Sequence, residues 1–304
     1  MVYKSEVKGK CGIVARVVAD SVSEGGTRIT TFELEYPRFI HSELMTHRML
    51  SRNAMSSRAV PISKMIDQVM KKPATPIHWG KNKPGMQANE ELTGSSLSYA
   101  KANWNHAAVC AAGIARTLLA GGAHKQIVNR ILEPFQMMKT VVTATEWNNY
   151  FYLRDHEDAQ PEIAELAKCM KSAMDKSEPM LLHDGEWHMP YINTDRDSDG
   201  EIRYTTEDVD FGSDPENALK ASASCCAQVS YRVLDFDLDK ALDIYDRLVN
   251  SKPVHASPFE HQAKPIDSSE EGVTHVDVNY DMWSGNFKYW VQYRQLIKDN
   301  YVSG

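Results

Sequence analysis

The sequence predicts an α+β fold. Two strand-like runs open the chain with a turn between them, and a series of segments with helical spacing follows. Gly12 to Asp20 and Arg28 to Tyr36 are rich in Val, Ile, Thr and Phe, and Ser23 to Gly26 supplies the turn. Pro37 stops the second strand, because it has no N–H to offer a ladder. Phe39, Ile40, Leu44 and Met45 then repeat at helical intervals, and Pro61 precedes a short helix over Ile62 to Lys71.

Lys72 to Ser95, rich in Pro, Gly and Asn, reads as a long loop. Ser96 to Ala120 is an Ala-rich helix whose stripe of small residues fits close helix packing, and Gly121-Gly122 ends it. His124 to Leu132, Thr145 to Leu153 and Pro161 to Met174 read as further helices. Met189 to Asn217 is acidic, polar and poor in core formers, which suggests a lid or linker. Helices over Asn217 to Tyr231 and Asp239 to Val249, a loop from His255 to Gln262, and a tail ending in Lys288 to Ile297 complete the chain, with no internal repeat.

The 304 residues, 42% apolar and 25% charged, suffice for a substantial core. A net charge of −7 argues against a general nucleic-acid coat, which needs a basic face. No apolar run approaches the roughly 20 residues of a membrane span, and Met1 to Val14 is too polar for a signal peptide. The scattered cysteines Cys11, Cys110, Cys169, Cys225 and Cys226, with no C-x-x-C pair, read as reduced thiols of a cytoplasmic protein and not as a zinc site. The absence of G-x-S-x-G, G-x-G-x-x-G and P-loop patterns removes serine hydrolysis and Rossmann-type cofactor binding from consideration.

Within this acidic body, Thr46 to Arg58 carries three arginines, a histidine and three serines, and no acid. Planar guanidinium forks and hydroxyls are the chemistry that holds phosphate. The plainer alternative is a solvated basic helix end. Arg154 lies among acids, where a surface ion pair is the ordinary reading, and Arg130 beside Pro134 fits a helix cap. His255-Ala256-Ser257-Pro258-Phe259-Glu260-His261 lacks common zinc spacing and suits hydrogen bonding to a polar ligand. Asp195 to Gly200 resembles the opening of a calcium loop, but Thr206 stands where the bidentate Glu belongs, so an acidic solvated loop is the better reading and no metal is expected.

Taken together, the fragments resemble the flavin-dependent thymidylate synthases. Thr46-His47-Arg48 followed by Ser51-x-Asn53-x-x-Ser56-x-Arg58 is similar to that family's arginine signature. Arg130-Ile131-x-x-Pro134, Leu153-Arg154 with Ala159-Gln160, Ala227-Gln228-Val229-Ser230-Tyr231 and Ser257 to His261 match four further elements. The last two come first in the usual order, which suggests a circular permutation. The resemblance implies a central mixed or antiparallel sheet with flanking helices, in a single catalytic domain over 1–304. Its parts would be an arginine-motif and substrate part (1–188), an acidic linker (189–217) and a permuted flavin part (218–304).

The resemblance also implies an FAD enzyme methylating dUMP, with NADPH and methylenetetrahydrofolate as co-substrates. The family assembles as a homotetramer with shared sites, and no membrane or stable nucleic-acid partner is expected. His47, Arg48, Asn53, Asn149, Ser230, His255 and Ser257 would contact the flavin. Ser56, Ser57, Arg58, Arg130 and Arg154 would hold dUMP, with Ser56, Arg58 and Arg154 catalytic. Two departures stand out: Thr46 replaces the family's first Arg, and Ala54 replaces a frequent Glu, with Arg52 placed to compensate. They leave open a dUMP hydroxymethylase of the same fold and a non-catalytic nucleotide-binding module.

Overall fold

A computed structural model describes residues 3–230, 237–266 and 274–300. Its main sheet holds β1 (Ser5–Lys8), β2 (Val14–Ser23), β3 (Arg28–Pro37), β4 (Ser51–Ala54), β5 (Met137–Ala144) and β6 (Met180–Leu182). The order is β1-β2-β3-β5-β4, and β6 joins β2 in parallel beyond the end of β1. All other pairings in this sheet are antiparallel, and β2 bulges against β3 between Val17 and Ala19. The predicted α+β class and antiparallel sheet are therefore present.

The helices are α1 (His41–Met45), α2 (Ile62–Lys71), α3 (Gly94–Ala120), α4 (Lys125–Leu132), α5 (Asn148–Arg154), α6 (Pro161–Asp175), α7 (Pro215–Ala227) and α8 (Leu238–Asn250). Caps explain several of their starts. His124 Nδ1 accepts from Gln126 N–H ahead of α4, and the carboxylates of Asp214 and Asp237 do the same for α7 and α8. The helix expected over Thr145 to Leu153 begins later because Thr145 Oγ1 accepts from Lys288 N–H at 2.9 Å, which ties it to the tail. The helix expected to reach Tyr231 stops at Ala227, and Tyr231 lies outside the described residues.

Alternation along the strands sends side chains to two covered faces. Ala15, Val17, Phe32, Leu34 and Val142 pack on Ile163, Leu166, Ala167 and Met170 of α6. Val18 and Val141 face the other way, onto Cys225 and Cys226 of α7. Since both faces of β5 are buried, its sequence shows an apolar run and no alternation. A separate cluster joins α2, α3 and α4 through Met65, Val69, Ala112, Ala115, Val128 and Leu132.

The acidic stretch expected to be a lid or linker is instead a small sheet of β7 (Asn193–Arg196), β8 (Ile202–Thr205) and β9 (Asp210–Gly212). Met189, Tyr191, Ile192, Ile202 and Tyr204 are buried there, so few core formers do the work through their size. The calcium-like Asp197 carboxylate caps the β7–β8 turn by accepting from Asp199 and Glu201 N–H, each at 3.0 Å. Four short strands, β10 (Ala263–Pro265), β11 (His275–Val276), β12 (Met282–Ser284) and β13 (Phe287–Lys288), precede β14 (Trp290–Gln292) and α9 (Tyr293–Leu296). Ala263 bridges His188, whose ring bonds Ser21 on β2, so the chain after His261 reaches the main sheet. No described helix is long and apolar enough to cross a membrane.

Candidate functional site

β4 is the axis of the site. It runs through the donor-rich segment, held to β5 in register from Ser51–Thr143 to Ala54–Thr140. Nothing in Ser51-Arg52-Asn53-Ala54 favours a strand; pairing with the buried β5 imposes it. His47, Arg48 and Arg154 gather at its first end, and Ser56 and Ser230 at its second, about 10 Å away at a strand's rise per residue.

At the first end, Arg154 turns away from the acids beside it in sequence. Its Nε donates to His47 Nε2 at 2.9 Å, and its terminal nitrogens reach Glu43 Oε2 at 3.2 Å and Thr46 Oγ1 at 3.3 Å. An Arg N–H only donates, so His47 Nε2 is the bare nitrogen and the ring proton sits on Nδ1. Burial, then the charges of Arg154 and Arg52, hold His47 below the usual histidine range, so it is neutral at pH 7. Tyr150 sets its ring edge against His47, with centroids 4.9 Å apart, and the neighbouring Asn149 is exposed on α5. Arg52 Nη1 donates to the carbonyls of Met45 and His47 at 2.6 and 3.1 Å, clamping the turn that carries His47 and Arg48. Arg52 thus fastens this loop.

At the second end, Ser56 N–H donates to Ser230 Oγ at 2.9 Å, and Asn53 Nδ2 donates to Cys226 O at 3.2 Å. These bonds cross more than 170 positions and bring the Val-Ser element onto the arginine segment. Ser56 Oγ accepts Arg58 N–H at 3.2 Å, which turns the chain and leaves the Arg58 side chain exposed. Buried Asn129 donates to the carbonyls of Ser57 and Val60 at 2.7 and 3.2 Å, docking α4 here. Arg130 follows on that helix but points outward, its side chain 65% exposed and paired with Glu133. His255 and Ser257 are also exposed, and the turn Ser257–Glu260 packs against β4 and α7.

Sequence reasoning missed Asn129, whose type and position carry no signal by themselves. It also missed Glu43, and the loop after α2, which meets Arg154 and Gln160 across a cleft of about 1190 Å³ lined by Phe39, His78 and Trp104. Within that loop Gly80 must be Gly, since a Cβ would overlap Ala88.

Across β2, β3 and β5 runs a buried polar chain. His188 Nδ1 meets Ser21 Oγ and its Nε2 meets Thr31 Oγ1, each at 2.9 Å. Thr31 then meets Thr143 at 2.7 Å, and Thr143 meets His261 Nδ1 at 2.8 Å. Burial pushes both histidines down to about 3, so both rings are neutral. Nε2 of His261 has no hydrogen-bond partner among the described residues.

The family model of the thymidylate synthase complementing proteins (Thy1) matches residues 26–180, just over half of the chain. That span contains the arginine segment, Arg130 and Arg154, but neither C-terminal fragment. Among solved structures, the chain is similar to a UMP/dUMP methylase, PolB from Streptomyces cacaoi, bound with 5-Br UMP. That likeness has 19% identity and a TM-score of 0.46, over 56% of this chain and 92% of the other. No curated protein matches. The family match spans the segment on which the site is built, and this chain belongs to the thymidylate synthase complementing proteins, the flavin-dependent thymidylate synthase family.

Proposed function

We propose that the protein methylates dUMP at C5, with methylenetetrahydrofolate as carbon donor and FAD, reduced by NADPH, as reductant. The observation that carries this reading is convergence. Four of the five family-like fragments, and the helix that bears the fifth, meet along β4 and β5 through the Arg154–His47, Ser56–Ser230, Thr143–His261 and Asn129–Ser57 bonds. A chance collection of short motifs has no reason to fold onto one strand.

The residues suit the ligands. Among the described residues neither Arg48 nor Arg58 has an ion-pair partner, so each keeps its charge for a phosphate. His47, Arg48, Asn53, Asn149, Ser230, His255 and Ser257 would hold the flavin, which supplies the redox chemistry when bound. Ser56, Ser57, Arg58, Arg130 and Arg154 would hold dUMP. Arg154 is pinned by His47, Glu43 and Thr46, and a fixed guanidinium beside the pyrimidine stabilises negative charge developing on its ring without reorganising.

Arg154 and the Ser56–Arg58 turn sit at opposite ends of β4, an arrangement that suits sites shared between copies in a homotetramer. Exposed Val109, Ile114 and Leu119 on α3 and Ile127 on α4 offer apolar surface for it. The Ser56–Ser230 bond, and the return of the chain after His261 to the main sheet, support a circular permutation. The free thiols suit the cytoplasm.

The test is the visible spectrum of protein desalted after incubation with FAD, followed by mass analysis of dUMP after turnover. A retained flavin spectrum and a product heavier by one methyl group are expected; colourless protein overturns the reading. Exposed Thr46, short where the family carries an Arg, leaves room for water, and this favours hydroxymethylation as the second reading. A hydroxymethyl gain in mass would identify it.

A further inference from the structure

The C-terminal tail, which belongs to none of the family-like fragments, completes a second cleft beside β4. This cleft, about 360 Å³, is lined by Arg48, Arg52 and Arg294, with Glu260 as its single carboxylate. Three cations against one anion make it locally positive in a chain of net charge −7.

The cleft has a fixed floor. Gln292, 2% exposed, donates through Nε2 to Ser51 Oγ at 3.1 Å, Asn286 Oδ1 at 2.8 Å and Glu260 O at 3.4 Å. Asn286 in turn donates to Met49 O at 2.9 Å, beside Arg48. Gly285, at φ +60°, lets this turn close, since a Cβ there would overlap Gln292 Oε1. The tail is thereby locked to the arginine segment through buried polar bonds.

The arginines are held differently. Arg52 is clamped to the carbonyls of Met45 and His47. Arg294 pairs with Glu260 and donates to Asn300 O at 3.3 Å, which orients its fork and leaves other N–H groups free for a ligand. Arg48 is exposed and has no ion-pair partner among the described residues. A planar fork, an unpaired guanidinium and amide donors around a small polar hollow match tetrahedral phosphate oxygens.

We propose that this cleft is an anion site for the phosphate or pyrophosphate of a nucleotide-type ligand, with Arg294 as the tail's contribution and Arg48 as its partner. The inference deepens the flavin reading, in which Arg48 is already a flavin residue, and rests on it only for the ligand's identity.

Inorganic pyrophosphate is the direct probe, measured by titration calorimetry at low and moderate salt. The intact chain should bind it with an affinity that falls as salt rises. Arg294→Gln and Arg48→Gln should each weaken it roughly tenfold or more, as expected for a lost charge-assisted contact, while Arg247→Gln on α8 should leave it unchanged. FAD and riboflavin then separate the sources: Arg294→Gln should weaken FAD and spare riboflavin, which lacks phosphate. Equal affinity of the intact and Arg294→Gln chains for pyrophosphate and FAD would overturn the proposal and leave the flavin reading standing. Pyrophosphate binding that depends on Arg294, in a chain that binds no flavin, would uphold the site and overturn that reading. If Arg294→Gln does not fold, Arg48→Gln, at an exposed unpaired residue, decides by the same readouts.

Discussion

The arginine segment on β4 and the polar chain that crosses β2, β3 and β5 belong to one sheet and meet where Ser51 pairs with Thr143, yet they handle polarity in opposite ways. Above, Arg48, Arg52, Arg58 and Arg154 hold their guanidinium groups at or near the surface. Below, Ser21, His188, Thr31, Thr143 and His261 are buried and neutral, and bond to one another through hydroxyls, with His261 Nε2 left over among the described residues. The difference teaches that burial decides whether a basic side chain serves as a charge or as a packing group with two polar atoms. His47 lies between these extremes: half-buried and neutral, it accepts from a charged neighbour.

The largest effect expected from this contrast is on stability against pH. His188 and His261 are neutral when folded, with pKa values near 3, whereas in the unfolded chain they titrate near 6.5. The unfolded state binds the extra protons between these values, so stability is complete above about pH 6.5 and is lost as pH falls toward 3. Two such groups give a slope of about 2.7 kcal/mol per pH unit in mid-window. Urea unfolding at pH 7, 5.5 and 4.5 measures it, and His188→Gln should halve it. A flat profile would break the contrast.

Next is Thr143→Val, which keeps shape but removes the hydroxyl joining Thr31 to His261. Stripping His261 of its only hydrogen bond among the described residues should cost about 3 kcal/mol, the upper end for a buried group left unpaired. An unchanged urea midpoint would show that the chain is not needed.

Substitutions above should act on ligands. Arg154→Ala should weaken dUMP by about 2 kcal/mol, the range of a charged hydrogen bond, and weaken FAD much less. Equal losses in calorimetric titrations of the two would contradict the division of the residues. Arg52→Ala should cost about 1.5 kcal/mol through the freed carbonyls of Met45 and His47, and loosen flavin through the relaxed turn; unchanged flavin affinity would remove Arg52 from the site. The smallest effect belongs to Arg247→Ala, which breaks an exposed pair with Asp243 on α8 and should shift thermal stability by no more than about 0.5 kcal/mol.

Much of this was legible in the residues. β2 and β3 showed their strand-forming composition and their turn, and α2, α3, α4, α6 and α8 showed period and boundary signals within a few positions. The short strands escaped because their patterns are not local. β5 is buried on both faces and loses alternation, β4 is a strand only because β5 pairs with it, and β7 and β8 hide few but large core residues in an acidic stretch. In the site, Arg154 stood out as a family position, while Glu43 and Asn129, which help to place its parts, are ordinary residues until the fold brings their partners near.

The sequence by itself determined the element types with strong local period, the concentration of donors in Thr46 to Arg58, and the family-like fragments. These follow from propensity, spacing and residue chemistry, which act over a few neighbours. Only the tertiary structure decided that Arg154 pairs with Glu43 and not with the adjacent acids, that two histidines are buried and neutral, and that Arg294 comes to lie in one cleft with Arg48. Each of those outcomes depends on burial or on contacts across 34 to 246 positions, which no local pattern encodes.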